Sequence, residues 1–105
     1  MRRGEVWWAQ LPKAGGRRPV LLLSRNASYD VRTKVIVAEI TGTIRGLPVE
    51  VELDQSDGLP KHCCVNLDNI LTIPKQRLSN PIASLTPAKM AEVREKIMYA
   101  LCLNT

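Results

Sequence analysis

The sequence predicts a mainly β fold, a small curled antiparallel barrel that ends in one α-helix. Three observations support this prediction. Short apolar stretches alternate with turn-forming residues, the apolar residues are mostly Val, Leu and Ile, and only the last segment has helical periodicity. The 105 residues contain no linker and no internal repeat, so we expect one domain over 1–105.

Apolar and β-branched stretches bounded by turn formers predict six short strands. These strands are 5–11, 18–25, 34–41, 48–53, 63–68 and 70–73. The second strand is continuously apolar from Val20 to Leu23, which is typical of a strand buried on both faces. Residues 43–47 are expected to join the third and fourth strands as a hairpin-like loop, and residues 74–78 to form a single turn.

The fourth strand has a clean two-residue alternation of apolar and acidic residues. Alternate side chains of a strand point to opposite faces. We therefore expect the three apolar residues in the core and both glutamates in water. The inward set is Val49, Val51 and Leu53, and the outward set is Glu50 and Glu52.

The last segment predicts the helix. Thr86 can cap its N-terminus, and Pro87 suits the first helical position. An apolar stripe follows at helical spacing, formed by Met90, Val93, Ile97, Ala100 and Leu101.

Charge and composition narrow the function without deciding it. Fifteen basic residues against ten acidic ones give a net charge of +5. This excess suits a polyanionic partner, because contacts with phosphates release counterions, but many soluble domains carry a similar charge. No apolar stretch has the length of a membrane span, and the N-terminus lacks a signal-peptide core. We therefore expect a soluble, cytoplasmic protein with no membrane partner.

The sequence lacks the familiar hydrolytic and nucleotide-binding motifs. His62 is the only histidine, so an acid–base pair of histidines is excluded. The spacing of Cys63, Cys64 and Cys102 suits neither a zinc site nor a disulfide framework, and we expect reduced thiols. No metal and no cofactor are expected.

Polar residues at strand ends are the candidates for chemistry. Arg17 and Arg18 begin the second strand and Thr41 ends the third, and a planar guanidinium suits a phosphate. Asn66 and Asp68 alternate with apolar neighbours and leave the opposite face of their strand. Each residue also has a structural interpretation, as a solvated arginine, a threonine that bonds to a turn, or a residue on the solvent-exposed side of an edge strand. The residues alone indicate only a basic, barrel-like domain.

Five blocks in order resemble the MazF/PemK (Kid) toxin family over residues 2–78. They are RRGEVWWAQL, GRRPVLLLS, VIVAEIT, LPVEVEL and VNLDNILTIPKQRL. The resemblance implies an SH3-like barrel of the MazF/PemK/CcdB type with a C-terminal helix, acting as a homodimer. It also implies sequence-selective, metal-independent cleavage of single-stranded RNA, often mRNA, to 2′,3′-cyclic phosphate and 5′-hydroxyl ends. A cognate antitoxin with a disordered acidic tail would neutralise the enzyme.

By position, the resemblance assigns Arg18 as the catalytic arginine and Thr41 as the catalytic threonine. Arg18 would stabilise the pentavalent phosphorane and protonate the leaving 5′-oxygen, while Thr41 would hydrogen-bond a non-bridging oxygen. Asp68 matches an acidic position of some relatives and is the candidate for the base. The residues expected to contact RNA are Arg17, Ser24, Asn26, Thr43, Asn66 and Asn69.

Some positions depart from the family pattern. Asn66 stands where some relatives have a catalytic arginine, Asn69 where glutamine is common, and Leu71 where arginine is common. The loop 12–17 is also shorter than usual. Two alternatives remain, a non-catalytic toxin of the same fold that inhibits a partner such as a topoisomerase, and a degenerate toxin that binds RNA or antitoxin without cutting. The joint presence of Arg18 and Thr41 favours the ribonuclease.

Overall fold

One antiparallel sheet and one helix make up the fold in a computed structural model that describes residues 1–11 and 16–103. The elements are β1 (Glu5–Gln10), β2 (Arg17–Leu22), β3 (Lys34–Thr41), β4 (Glu50–Leu53), β5 (Cys63–Pro74), β6 (Leu78–Ser84) and α1 (Pro87–Ala100). Across the sheet the strands follow the order β4-β5-β3-β2-β1-β6, and neighbours are antiparallel. The mainly β, curled architecture with a terminal helix is therefore confirmed. Part of the predicted basic loop, residues 12–15, lies outside the described residues.

The sheet has an apolar cluster on each face. On β3 the alternation is visible in single residues, since Val37 belongs to one cluster and its neighbour Ala38 to the other. The cluster under α1 contains Val6, Leu21, Ala38, Ile40, Val51, Leu53, Leu59, Cys63, Val65, Leu67, Leu85 and Val93. The cluster on the opposite face contains Ala9, Leu11, Val20, Leu22, Tyr29, Val35, Val37, Ile73 and Leu78. Because Val20, Leu21 and Leu22 are all fully buried, the prediction of a strand covered on both faces is confirmed.

The helix begins as predicted. The Thr86 hydroxyl oxygen accepts the Lys89 N–H at 3.2 Å, and Pro87 occupies the first turn. Val93 is fully buried, and Met90, Ile97 and Ala100 pack against the cluster under the helix. Leu101 was wrongly assigned to the apolar stripe, because the helix ends at Ala100 and the Leu101 side chain is 55% exposed.

The predicted strands at 63–68 and 70–73 are a single strand, β5, that carries a bulge. Ala38 of β3 pairs with Ile70, but the next residue, Glu39, pairs with Asn66. Three residues of β5, 67–69, are therefore inserted opposite one step of β3. The interruption that the sequence suggested is real, but it bends the strand rather than ending it.

The hairpin predicted between the third and fourth strands is wrong, because β5 lies between β3 and β4 in the sheet. Residues 42–49 instead cross β5, from Thr41 opposite Cys64 on one side to Glu50 opposite Asn66 on the other. The outward position predicted for Glu50 is also wrong, since Glu50 is only 8% exposed. Its carboxylate accepts the backbone N–H groups of Arg45 and Leu47 at 3.1 Å each, so it is satisfied by the crossing loop.

Candidate functional site

One face of the sheet changes from apolar to polar along its strands. On β3 the residues of this face are Val35, Val37, Glu39 and Thr41, and the two valines are buried. On β2 the same change runs from Leu22 through Val20 to Arg18, in the reverse chain direction. Two neighbouring antiparallel strands thus place their polar ends side by side, at the edge of the apolar cluster.

A cleft of about 490 Å³ lies at this polar end. We call it the Arg18 cleft. It is lined by Leu11, Arg18, Glu39, Thr41, Thr43, Arg45, Glu50, Asn66, Asn69 and Leu71. The two arginines, two glutamates, two threonines and two asparagines make this a polar site with both charge signs, and the apolar residues Leu11 and Leu71 are the minority.

Register explains why Arg18 and Thr41 meet. Val20 pairs with Glu39 in the antiparallel ladder, and two residues further along each strand Arg18 stands opposite Thr41. The Arg18 side chain is exposed, and the ion pairs among residues 1–11 and 16–103 are His62–Glu52 and Lys89–Asp57. In the described part of the chain the Arg18 guanidinium therefore has no carboxylate partner and is available to an anion.

The Thr41 hydroxyl is both a turn-forming group and a potential donor. Its oxygen accepts the Thr43 N–H at 3.2 Å, as the structural interpretation of a strand-end threonine expects. A hydroxyl that accepts one hydrogen bond still has its own hydrogen to donate. Thr41 can therefore be held by the backbone and donate to a ligand oxygen in the cleft at the same time.

The bulge of β5 separates the other predicted residues of that strand. Asn66 and Asn69 line the Arg18 cleft. Asp68 is exposed between them and is not among the lining residues. The Asn66 side-chain oxygen accepts the Asp68 N–H at 2.9 Å, which stabilises the bulge. The structure thus brings the two asparagines to Arg18 and Thr41, but not the carboxylate.

Ser24 and Asn26 lie beyond the opposite end of β2 from Arg18. Ser24 is 6% exposed, and its hydroxyl oxygen accepts the Ile36 N–H at 2.8 Å. The Asn26 side-chain oxygen accepts the Arg3 N–H at 2.6 Å. Both side chains bind backbone groups of this chain and stand outside the cleft.

A smaller depression of about 260 Å³ meets the cleft at its edge. We call it the Trp8 pocket. Arg18 and Thr41 line it as well, together with Trp8, Arg17 and Lys61. The Arg17 guanidinium lies 4.9 Å from the centre of the Trp8 ring, a cation–π contact. Arg17 is close to Arg18, but it lines the Trp8 pocket and not the Arg18 cleft.

Three charged residues of the cleft, Glu39, Arg45 and Glu50, were missed by the sequence prediction. Glu39 had a usable signal, because it precedes Thr41 by two residues on a predicted strand and so shares its face. Glu50 was expected in water, and Arg45 belongs to the crossing loop, whose path no local pattern of the sequence reveals. The cleft is thus richer in charge than Arg18 and Thr41 alone suggested.

Neither Cys63 nor Cys64 lines the Arg18 cleft. Cys63 and Cys64 are buried, and burial raises the pKa of both, that of Cys64 to about 11. Among the described residues, no three His, Cys, Asp or Glu side chains come together as a metal site requires. In the same part of the chain, no helix has the length and apolar character needed to cross a bilayer.

Comparison with known proteins gives one consistent family. The model of the PemK-like, MazF-like toxins of type II toxin–antitoxin systems matches residues 2–101. A probable endoribonuclease MazF2 of Mycobacterium tuberculosis is 44% identical over 93 residues, covering 88% of this chain and 89% of that protein. An endoribonuclease MazF of Staphylococcus saprophyticus is 36% identical and covers all of this chain and 94% of that protein.

Solved structures agree with the sequence comparison. Mycobacterium tuberculosis toxin MazF-mt6 superposes with a TM-score of 0.88 at 37% identity, over 96% of this chain and 99% of that one. An endoribonuclease in complex with its cognate antitoxin, from a mycobacterial species, gives 0.89 at 32% identity, over 100% of this chain and 98% of that one. Fold and sequence therefore point to the same group of proteins.

Proposed function

This chain belongs to the PemK-like, MazF-like family of type II toxins, and we propose that its Arg18 cleft cleaves single-stranded RNA. The relatives compared above are named endoribonucleases, and this chain is accordingly an endoribonuclease toxin. The observation that carries the assignment to the cleft is the juxtaposition of Arg18 and Thr41 on adjacent strand ends. The alternative of a non-catalytic topoisomerase inhibitor finds no support among these relatives.

The proposed reaction uses the RNA's own 2′-hydroxyl as the nucleophile. The 2′-oxygen bonds to phosphorus, the bond from phosphorus to the 5′-oxygen breaks, and a 2′,3′-cyclic phosphate and a 5′-hydroxyl remain. Arg18 binds the phosphate and stabilises the negative charge that grows on it, and Thr41 donates to a non-bridging oxygen. Since a guanidinium keeps its proton in folded proteins, we assign Arg18 the electrostatic role alone. In this open cleft, water protonates the 5′-oxygen.

The other polar residues are proposed to bind RNA. Thr43, Asn66 and Asn69 line the cleft, where hydroxyl and amide groups can read base edges or hold a ribose. We also propose that Arg17, whose guanidinium lies over the Trp8 ring, contacts the RNA backbone next to the cleaved phosphate. Contacts from Ser24 and Asn26, and a role for Asp68 as the base, stay predictions.

We also propose a homodimer of single-domain chains in the cytoplasm, neutralised by a cognate antitoxin. Tyr99, Leu101 and Leu103 are each more than half exposed at the end of α1 and offer apolar area for a second copy. Arg17, Arg18 and Lys61 line the Trp8 pocket beside the cleft, and these cations suit an acidic antitoxin segment for the same reason that they suit RNA.

The test is cleavage of single-stranded RNA by the purified protein in EDTA. We expect cyclic-phosphate and 5′-hydroxyl ends, and no reaction where the target nucleotide carries hydrogen in place of its 2′-hydroxyl. Arg18→Ala should lower the rate by about a hundredfold or more, the usual effect of losing one charge-stabilising group. Ends of the opposite polarity, or full activity of Arg18→Ala, would contradict the mechanism.

The matched control is Arg94→Ala, because Arg94 is exposed on α1, away from the cleft. It removes the same side chain and the same charge at a distance. We expect its cleavage rate to equal that of the unmodified protein, and circular dichroism to show both variants folded.

A further inference from the structure

We propose that Glu39 is the general base of this reaction, an assignment that rests on the ribonuclease function proposed above. The Glu39 carboxylate takes the proton of the 2′-hydroxyl as the 2′-oxygen bonds to phosphorus. The electron pair of the bond to the 5′-oxygen leaves with that oxygen, which is protonated by water. The protonated Glu39 then returns its proton to the solvent.

The position of Glu39 matches this task. Glu39 lines the Arg18 cleft together with Arg18 and Thr41. It precedes Thr41 by two residues on the same face of β3, so the two Cα atoms are about 7 Å apart. A phosphate held by Arg18 and Thr41 therefore brings its neighbouring ribose within reach of the flexible glutamate side chain.

The other carboxylate of the cleft is already engaged. Glu50 is 8% exposed, and its oxygens accept the N–H groups of Arg45 and Leu47. These hydrogen bonds orient the Glu50 carboxylate towards the backbone of the crossing loop, which gives it a structural role. The Glu39 carboxylate accepts no hydrogen bond and forms no ion pair within residues 1–11 and 16–103, and its residue is partly exposed to the cleft.

Other proton acceptors stand elsewhere. Asp68 is outside the lining of the cleft. His62 lies 3.6 Å from Glu52 and faces a separate depression with Asp54 and Ser56. Cys64 is fully buried. Among the described residues, Glu39 is thus the one unengaged carboxylate beside the Arg18–Thr41 pair, which is the geometry that a general base requires.

The first test compares single-turnover cleavage by Glu39→Gln, Asp68→Asn and Glu52→Gln. Glutamine keeps the size of the side chain but cannot accept the proton, so Glu39→Gln should be slower by about a hundredfold or more. Glu52 is exposed on β4, two strands away from Glu39, and lies outside the cleft, so its variant should cleave at the normal rate. The variants should bind an uncleavable 2′-deoxy substrate equally well, since loss of a base affects the chemical step.

Chemical rescue distinguishes a base from a positioning group. In Glu39→Ala, added formate can occupy the vacated space and accept the proton, so the rate should rise with formate concentration. The rate of Arg18→Ala should not respond. Rescue would support the assignment, as would loss of the acidic limb of the pH–rate profile in Glu39→Gln.

Several results would overturn the proposal. One is normal cleavage by Glu39→Gln, and another is a larger loss in Asp68→Asn than in Glu39→Gln. A third is weakened binding of the 2′-deoxy substrate with an unchanged rate at saturation. In all three the unmodified protein still cleaves RNA, so the ribonuclease function stands. If the unmodified protein leaves every RNA intact, both the ribonuclease function and the assignment of Glu39 as its base are contradicted.

Discussion

Arg18 shows how much the meaning of a residue depends on what surrounds it. An arginine at a strand start is usually solvated or paired with a carboxylate. In this molecule it is exposed, its strand register places it opposite Thr41, and neither ion pair of the described residues involves it. The observation that separates the functional interpretation from the structural one is therefore the missing partner.

Cys64 makes a prediction at the residue scale about stability and pH. Burial raises its pKa from 9.0 to about 11, so the folded state keeps the thiol proton at a pH where the unfolded chain releases it. This contribution to stability is complete below about pH 9 and is lost as the pH rises towards 11, by up to about 3 kcal/mol. Urea unfolding at pH 8 and pH 10.5 should show that Cys64→Ala is much less destabilising at the higher pH.

The control for this prediction is Val65→Ala, the next residue of β5, which is also fully buried but does not titrate. Its destabilisation should be the same at both pH values. If the two variants show the same dependence on pH, Cys64 ionisation does not contribute to alkaline unfolding.

Sequence reasoning at this scale reached Arg18 and Thr41 through the family resemblance, and it missed Glu39. The alternation of β3 contained the information, because Glu39 and Thr41 must share a face. Glu50 could not be predicted. Its burial depends on the backbone N–H groups of a loop that crosses β5, and alternation in β4 says nothing about that loop.

At the scale of elements, the strands that were predicted correctly have either a continuous apolar run, as in β2 and β3, or a clean alternation of apolar and polar residues, as in β4. The missed strand, β6, contains Asn80 and Pro81, a pair that usually marks a turn. Proline is tolerated there because β6 lies at the edge of the sheet and pairs only with β1. Strand order is a property of the whole sheet, so local sequence could not reveal that this position was an edge.

The connection between β4 and β5 leads to a prediction about Gly58. Its φ is +94°, and an added Cβ would lie 2.8 Å from the Ala83 Cβ of β6. Gly58→Ala must therefore strain the backbone and push apart packed atoms, at a cost of about 2–4 kcal/mol. Thermal unfolding measured by circular dichroism should show a large fall in Tm.

Gly46 is the matched control, because its φ is +70° but nothing lies within 4 Å of an added Cβ. Gly46→Ala should cost only the backbone term, about 1–2 kcal/mol. Equal losses in the two variants would mean that the contact between Gly58 and Ala83 does not limit this connection.

At the scale of the whole molecule, the two faces of the sheet have different roles, one in stability and one in both stability and the functional site. The face under α1 is a continuous apolar cluster that holds the fold together. The opposite face is apolar at one end and becomes the Arg18 cleft at the other. The cleft can carry unpaired charge because the apolar clusters supply the stability of the fold. Composition counts charges without saying where they lie, so it could not locate the site.

The net charge of +5 leads to a prediction about salt. If Arg17, Arg18 and Arg45 around the cleft each neutralise one phosphate of the RNA, about three contacts should form. The logarithm of the binding constant should then fall with the logarithm of salt concentration with a slope near −2, from about −0.7 per contact on a single strand. The slope can be measured by fluorescence anisotropy with a 2′-deoxy substrate, at KCl concentrations from about 50 to about 300 mM.

Arg45→Gln should make the slope shallower by about 0.7. Arg94→Gln, on the exposed face of α1, lowers the overall charge equally and should leave the slope unchanged. Equal effects of the two variants would mean that the net charge of the molecule, and not the cleft, attracts RNA.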